Sequence, residues 1–214
     1  MSTSTRAAMA ARAAADIPEG WVVNLGIGIP TLIADHVPLE REVIFQSENG
    51  VLGMGPAPAK GQEDPWLINA GKQMITLRPG GSFCHHADSF AMIRGGHIDL
   101  CVLGGFEVAE NGDLANWATS ENDTAPAVGG AMDLGAGAKR IWVTMEHTTR
   151  DGRPKLVERC AYPLTTPGVV SRVYTNLAVL DVVPGLGFVV RDIVDGMGLE
   201  ELQARSGARL HARA

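Results

Sequence analysis

The run Trp21-Val22-Val23-Asn24-Leu25-Gly26-Ile27-Gly28-Ile29-Pro30-Thr31 decides the fold class. Its first five residues form a short, β-favouring and mostly apolar run, the pattern of a buried strand. Gly26-Ile27-Gly28 breaks that run, and residues 31–36 read as a helix. Strand, glycine-rich turn and helix in this order open a βαβ unit. A second strand is expected at 42–46, directly before Ser47-Glu48-Asn49-Gly50.

Outward from this unit the same reading continues. Residues 7–17 carry strong helix formers and stop at Pro18-Glu19-Gly20. Residues 51–61 are so rich in Gly, Pro and Ala that an irregular loop is expected, and long loops in compact domains tend to be functional. Residues 68–77 follow no clear period, and Arg78-Pro79-Gly80-Gly81 reads as a turn. A helix is expected over 87–94, ended by Gly95-Gly96. Strands follow at 98–103 and 139–145, with turns at Asn111-Gly112 and Asp151-Gly152. Three further strands are expected at 169–174, 177–183 and 187–192, the last two joined at Pro184-Gly185, then a helix over 199–205. Helices alternate with strands early and strands crowd together late. The expected fold is therefore α/β, a mostly parallel sheet flanked by helices with an antiparallel edge. No repeat or linker divides the chain, so 1–214 reads as a single domain.

Composition limits the function. The chain has 214 residues, 45% hydrophobic and 20% charged, as ordinary globular proteins do. A net charge of −6 gives no electrostatic footprint for nucleic acid or an anionic membrane. No apolar run is long enough to span a bilayer. The Ala-rich, Arg-containing N-terminus lacks the continuous apolar core of a signal peptide. Cys84, Cys101 and Cys160 are odd in number and widely spaced, which indicates neither a zinc site nor a disulfide framework. Free thiols point to the cytoplasm.

Five segments could carry chemistry. Glu48 follows a buried strand and precedes residues of little bulk, and ligands of open α/β sheets bind at the carboxyl ends of strands. A solvated or helix-capping carboxylate is the alternative. Asn24 to Thr31 contains Gly26-x-Gly28 without a third glycine in register, so it is no dinucleotide fingerprint; it is either a tight turn or a loop whose N–H groups face a ligand. Gly129-Gly130 either serves packing or aims N–H groups at a developing oxyanion. Lys72, between Gly71 and Gln73, either binds phosphate or is a surface lysine. His85-His86 precedes Asp88-Ser89, but catalytic triads join distant segments, and no third metal ligand stands at recognisable spacing; Glu146-His147 has the same weakness.

Together these segments resemble one family. NLGIGIPT (24–31), SENG (47–50), GMG (53–55), NAGKQ (69–73), ADSFAMIRGGHID (87–99), GDLANW (112–117), GGAMDL (129–134) and TMEHTT (144–149) are similar to the B subunit of 3-oxoacid CoA-transferases, in family order along nearly the whole chain. HHADSF (85–90), APAVGG (125–130), CAYPLT (160–165) and SRVYT (171–175) resemble the branch acting on 3-oxoadipate, while 119–124 departs from it. The resemblance implies a fold shared with sugar-phosphate isomerases and an active site between separate A and B subunits, with an A2B2 assembly suggested. It implies Glu48 as nucleophile, Gly129 or Gly130 as oxyanion donor, Asn24, Gly26, Gly28 and Asn49 around the carboxylate, and Lys72 meeting CoA. CoA is then a co-substrate, with no metal or tightly bound cofactor, and the acids are succinyl-CoA and 3-oxoadipate, from aromatic-compound breakdown. His85 or His86 would help select the longer diacid, unless they serve loop or core packing.

Other functions stay open on the residues. An acetoacetate-type transferase would use the same Glu48. An acyl-CoA hydrolase would admit water to the intermediate, a scaffold subunit would leave chemistry to its partner, and a sugar-phosphate isomerase would move protons instead of acyl groups.

Overall fold

The computed structural model describes residues 5–120, 123 and 126–213. Among these, ten strands form one sheet and three form a smaller one. The centre of the large sheet is parallel. Strand β1 (Val22–Leu25) lies between β2 (Ile44–Ser47) and β5 (Leu100–Gly104), and β8 (Ile141–Met145) and β10 (Val170–Thr175) extend the parallel run beyond β5. Both margins turn antiparallel. On one side β3 (Val51–Met54) and β4 (Leu77–Phe83) follow β2; on the other, β11 (Ala178–Val183) and β12 (Gly187–Ile193) follow β10, with β13 (Leu210–Ala212) parallel at the rim. The expected mostly parallel sheet with an antiparallel edge is present, and a second such edge accompanies it. The small sheet holds β6 (Glu107–Ala109), β7 (Leu114–Ala115) and β9 (Leu156–Val157).

The central strands are mostly apolar because both faces are covered. Along β5, Leu100 and Val102 belong to one core cluster and Cys101 and Leu103 to the other. Helix α1 (Arg6–Asp16) covers the first face. Thr5 caps it, its Oγ1 accepting from Ala8 N at 3.2 Å. Met9, Ala10, Ala13 and Ala14 make its buried stripe, and the small alanine side chains let the helix approach the sheet closely. Helix α2 (His86–Arg94), α3 (Ala131–Gly137), the small sheet and α4 (Leu199–Ala204) cover the second face through Ile93, Leu134, Val108, Leu156 and Leu202.

Three local expectations need correction. The helix at 31–36 is a 3-10 helix, Ile29–His36. Pro30 in its first turn and Pro38 just beyond its end confine it to a length at which an α-helix nucleates poorly. Residues 51–54 are not loop but β3. The Arg78-Pro79-Gly80-Gly81 turn is instead the middle of β4, an outermost strand of the sheet, where a proline without an N–H is tolerated. Gly53 and Gly81 permit that pairing: a Cβ on Gly53 would stand 2.8 Å from Gly81 Cα, and the register shifts between Leu52 and Met54.

Candidate active site

The carboxyl ends of β2, β1, β5 and β8 open into one cleft of about 560 Å³. Chain order reverses between β1 and β5, since β1 leads to β2 on one side and the later β5 lies on the other. Such a switch point leaves a crevice between diverging connections, where open α/β sheets bind ligands. Asn24 and Gly26 line it from β1, Glu48 from β2, Gly104 and Gly105 from β5, Glu146 from β8, and Gly129 and Gly130 from the loop before α3.

Glu48 stands at the tip of a hairpin. Ser47 pairs with Val51, leaving Glu48, Asn49 and Gly50 as a three-residue loop closed by Gly50 N–H donating to Ser47 O at 2.9 Å. This loop length needs a left-handed residue at its last position, and Gly50 supplies φ 103°. A side chain at residue 50 would also run into the Cys84 carbonyl oxygen. The hairpin base is tied down from within. Asn24 Nδ2 donates to Gln46 Oε1 at 2.6 Å, Gln46 Nε2 donates to Ser89 Oγ at 2.5 Å, and Ser89 Oγ donates to Ser47 O at 3.4 Å. Asn24, Gln46 and Ser89 are buried, so each partner satisfies a group that would otherwise be costly to bury. Ser47 Oγ in turn accepts from Ala70 N at 3.0 Å, docking the 69–73 turn beside Glu48.

Burial raises the Glu48 pKa above its ordinary value; the charge of nearby His86 opposes this and that of Asp133 adds to it. Opposite the carboxylate lies Gly130. A Cβ there would overlap Glu48 Oε2 and stand 3.2 Å from Glu48 Cδ and 3.0 Å from Phe90 Cζ. The peptide backbone thus comes to the carboxylate more closely than any other residue type would allow. Among the described residues, neither Gly129 N–H nor Gly130 N–H has a hydrogen-bond acceptor. The pair can therefore donate to an oxygen held over Glu48.

The other sequence-derived residues sit around this centre. Gly28 precedes the 3-10 helix, its carbonyl accepting from Thr31 Oγ1 at 2.7 Å, and does not line the cleft. Asn49 points away, donating to Ile68 O at 2.8 Å, where it braces the hairpin. Lys72 is exposed at the end of the 69–73 turn with φ 63°, a left-handed backbone for a lysine. Ala70 of the same turn lines the cleft, and Lys72 does not. His85 caps α2, its Nδ1 accepting from Ala87 N at 3.1 Å. His86 meets Phe90 edge-on with ring centroids 4.9 Å apart, on the Glu48 side of the helix. His147 is fully buried between Thr175 Oγ1 and Ser206 Oγ at 3.0 and 2.9 Å. Of the departing stretch 119–124, residues 121, 122 and 124 lie outside the described residues, as does Ala125. Sequence reading missed Lys155 and Thr144, which also line the cleft; Lys155 is one of six charged residues in 150–159, and Thr144 sits within an apolar strand. No group of three or more His, Cys, Asp or Glu side chains among the described residues is placed to hold a metal, and no helix among them is long and apolar enough to cross a membrane.

Comparison with known proteins accords with this geometry. The family model for coenzyme A transferase matches residues 6–203. The B subunit of 3-oxoadipate CoA-transferase from Acinetobacter baylyi is 55% identical over 206 residues, 96% of this chain and 94% of that protein. The B subunit of the same description from Pseudomonas putida is 56% identical, covering 96% of each. Among solved structures, an acyl-CoA transferase apoenzyme from Escherichia coli O157:H7 superposes with a TM-score of 0.75 at 20% identity, over 98% of this chain and 42% of that one, a likeness of fold.

Proposed function

The chain belongs to the coenzyme A transferase family, and on that premise we propose that it is the B subunit of a two-chain enzyme that moves CoA from succinyl-CoA to 3-oxoadipate, with Glu48 as the nucleophile. The observation that carries this reading is the approach of Gly130 to the Glu48 carboxylate, with two unengaged N–H groups beside it. The acceptor is favoured by the two 3-oxoadipate relatives described above.

In the proposed reaction, ionised Glu48 attacks the succinyl thioester carbonyl and expels CoA thiolate, giving a mixed anhydride. The thiolate attacks the glutamyl carbonyl of that anhydride, succinate leaves with the carboxylate oxygen, and a glutamyl-CoA thioester remains. The 3-oxoadipate carboxylate then attacks this thioester and expels the thiolate. The thiolate attacks the oxoadipyl carbonyl of the new anhydride, which releases the CoA ester and restores Glu48. These are ping-pong steps. A carboxylate suits them because it serves as nucleophile and leaving group without a general base. In this reading the Gly129 and Gly130 N–H groups stabilise the tetrahedral oxyanion, where one donor is typically worth about 2.7–4 kcal/mol. Asn24 and Gly26 bound the acyl pocket, while Gly28 and Asn49 act through the shape of their loops. Lys72 meets CoA. His86 is the better placed of the two histidines to influence acceptor choice. The partner is an A subunit, in an A2B2 assembly acting in the cytoplasm, with CoA as co-substrate only.

The test is to co-purify the chain with its A subunit, add succinyl-CoA, and measure the mass of the Glu48-containing peptide alongside transfer to 3-oxoadipate and acetoacetate. The wild type gains CoA on Glu48 and prefers 3-oxoadipate. Glu48→Ala gives neither adduct nor turnover, and Glu48→Asp, its oxygen misplaced by about 1 Å, loses about 100-fold. Full activity in the Glu48→Ala complex would leave this chain a scaffold, and CoA release without acceptor would make the enzyme a hydrolase.

A further inference from the structure

Two cations that the reaction so far does not use line the cleft: Arg6, which pairs with Glu146, and Lys155, which pairs with no carboxylate among the described residues. Lys155 begins the segment leading into β9, with its backbone fixed on both sides: its N–H donates to His147 O at 3.1 Å and its carbonyl accepts from Val108 N at 3.0 Å. Its half-buried side chain lines the cleft, and Nζ donates to Gly105 O at 2.8 Å. No carboxylate stands within 4.0 Å of it among the described residues. Its acidic neighbours are engaged elsewhere. Glu107 Oε2 accepts from Ala161 N at 2.7 Å and from Tyr162 N at 3.3 Å, and Glu146 pairs with Arg6 at 3.6 Å. Burial lowers the ammonium pKa from the ordinary lysine value, against the pull of Glu146 and Glu107. A half-buried ammonium that lines a cavity and has no carboxylate paired to it is a donor for an incoming carboxylate.

We propose that Lys155 binds the distal carboxylate of the acid being transferred, and so selects diacids over 3-oxoacids that end in a methyl group. The inference rests on the CoA-transfer reading and adds a specificity residue to it. The spacing agrees. Glu48 follows β2 and Gly105 follows β5, two strand positions apart across β1, about 10 Å at the usual interstrand distance. A six-carbon diacid extends about 6 Å at ordinary carbon–carbon bond lengths, and the Glu48 side chain spans the remainder. The 3-oxoadipyl group carries its second carboxylate at this reach, while that of the succinyl group, two carbons shorter, falls about 2.5 Å short of it.

The experiment starts from the complete A and B complex charged with CoA on Glu48, so that donor binding drops out of the measurement. Transfer from the charged enzyme is timed with 3-oxoadipate and with its 6-methyl ester, in which the distal charge is masked. Lys155→Gln keeps a donor for Gly105 O and removes the charge; Lys155→Arg keeps the charge. The wild type prefers the diacid. Lys155→Gln lowers kcat/KM for the diacid by about 10- to 100-fold, the range of one hydrogen bond to a charged group, and changes the ester less than about threefold. Lys155→Arg restores much of the preference. Equal losses on both acceptors, or a preference that survives Lys155→Gln, would overturn the inference alone. A wild-type complex that never acquires CoA overturns the CoA-transfer reading and this inference with it.

Discussion

Replacing Gly130 by alanine separates folding from chemistry. The added methyl would overlap Glu48 Oε2 and stand 3.2 Å from Glu48 Cδ and 3.0 Å from Phe90 Cζ. Carbon pairs settle at about 3.5–4.0 Å, so Cδ must retreat by roughly half an ångström and Oε2 by about 1 Å. Both obstacles are the far ends of side chains, and the Gly130 φ of −82° is open to alanine. The fold therefore adapts at small cost, within about 1 kcal/mol, as substitutions that strain no fixed feature do. The carboxylate does not adapt without leaving its place, and a 1 Å misplacement costs about 100-fold. The expected result is a melting temperature within a few degrees of the wild type, with formation of the glutamyl-CoA adduct slowed about 100-fold in rapid-quench mass measurements. Gly129→Ala is the counterpart. A Cβ there meets nothing within 4 Å, but φ is 55°, so its cost falls on stability, about 1 kcal/mol. A Gly130→Ala complex that forms the adduct within threefold of the wild-type rate would show that the carboxylate does not work from this position.

Two further outcomes follow from electrostatics. In the proposed reaction Glu48 attacks as the anion, and its pKa lies above the ordinary value, so kcat/KM for the donor should fall as pH drops through that raised pKa; His86→Ala removes an opposing charge and should move this limb to higher pH, and Asp133→Asn should move it lower, as pH–rate profiles would read; limbs that stay in place would refute the coupling. His147 is buried with its pKa pushed down to about 4, below the unfolded value, so the unfolded chain binds the extra proton first and stability is lost as pH falls from about 6.5 toward 4, by about 3 kcal/mol in all; urea denaturation of His147→Gln should lack that pH-dependent share, and an unchanged slope would refute it.

The parallel centre of the sheet was legible because it is buried on both faces. Strands at 100–104 and 141–145 read directly as apolar runs, and 170–175 through its β-branched and aromatic residues. The margin at 51–54 and 77–83 was not, because an outer strand can carry Pro79 and a close strand pair needs Gly53 and Gly81, the residues that elsewhere signal loops. The strands of the small sheet have two or three residues, too few to show a period. At the site, Glu48 and Gly129-Gly130 stood out through their neighbours in sequence. Lys155 did not, since its partner, the Gly105 carbonyl, lies 50 residues away in the chain and nothing local marks it. The bond from Gln46 to Ser89 was equally silent, an alternate position on a strand meeting a helix 43 residues later.

Lys72 holds its backbone in a posture natural to glycine, with φ 63°. Left-handed geometry costs an ordinary side chain roughly 1–2 kcal/mol, offset in part by the greater freedom glycine would bring to the unfolded chain. A glycine at this position would make a slightly sturdier protein with one positive charge fewer. On the proposed role of Lys72 in meeting CoA, selection for heat resistance alone and selection for turnover should pull this single residue in opposite directions.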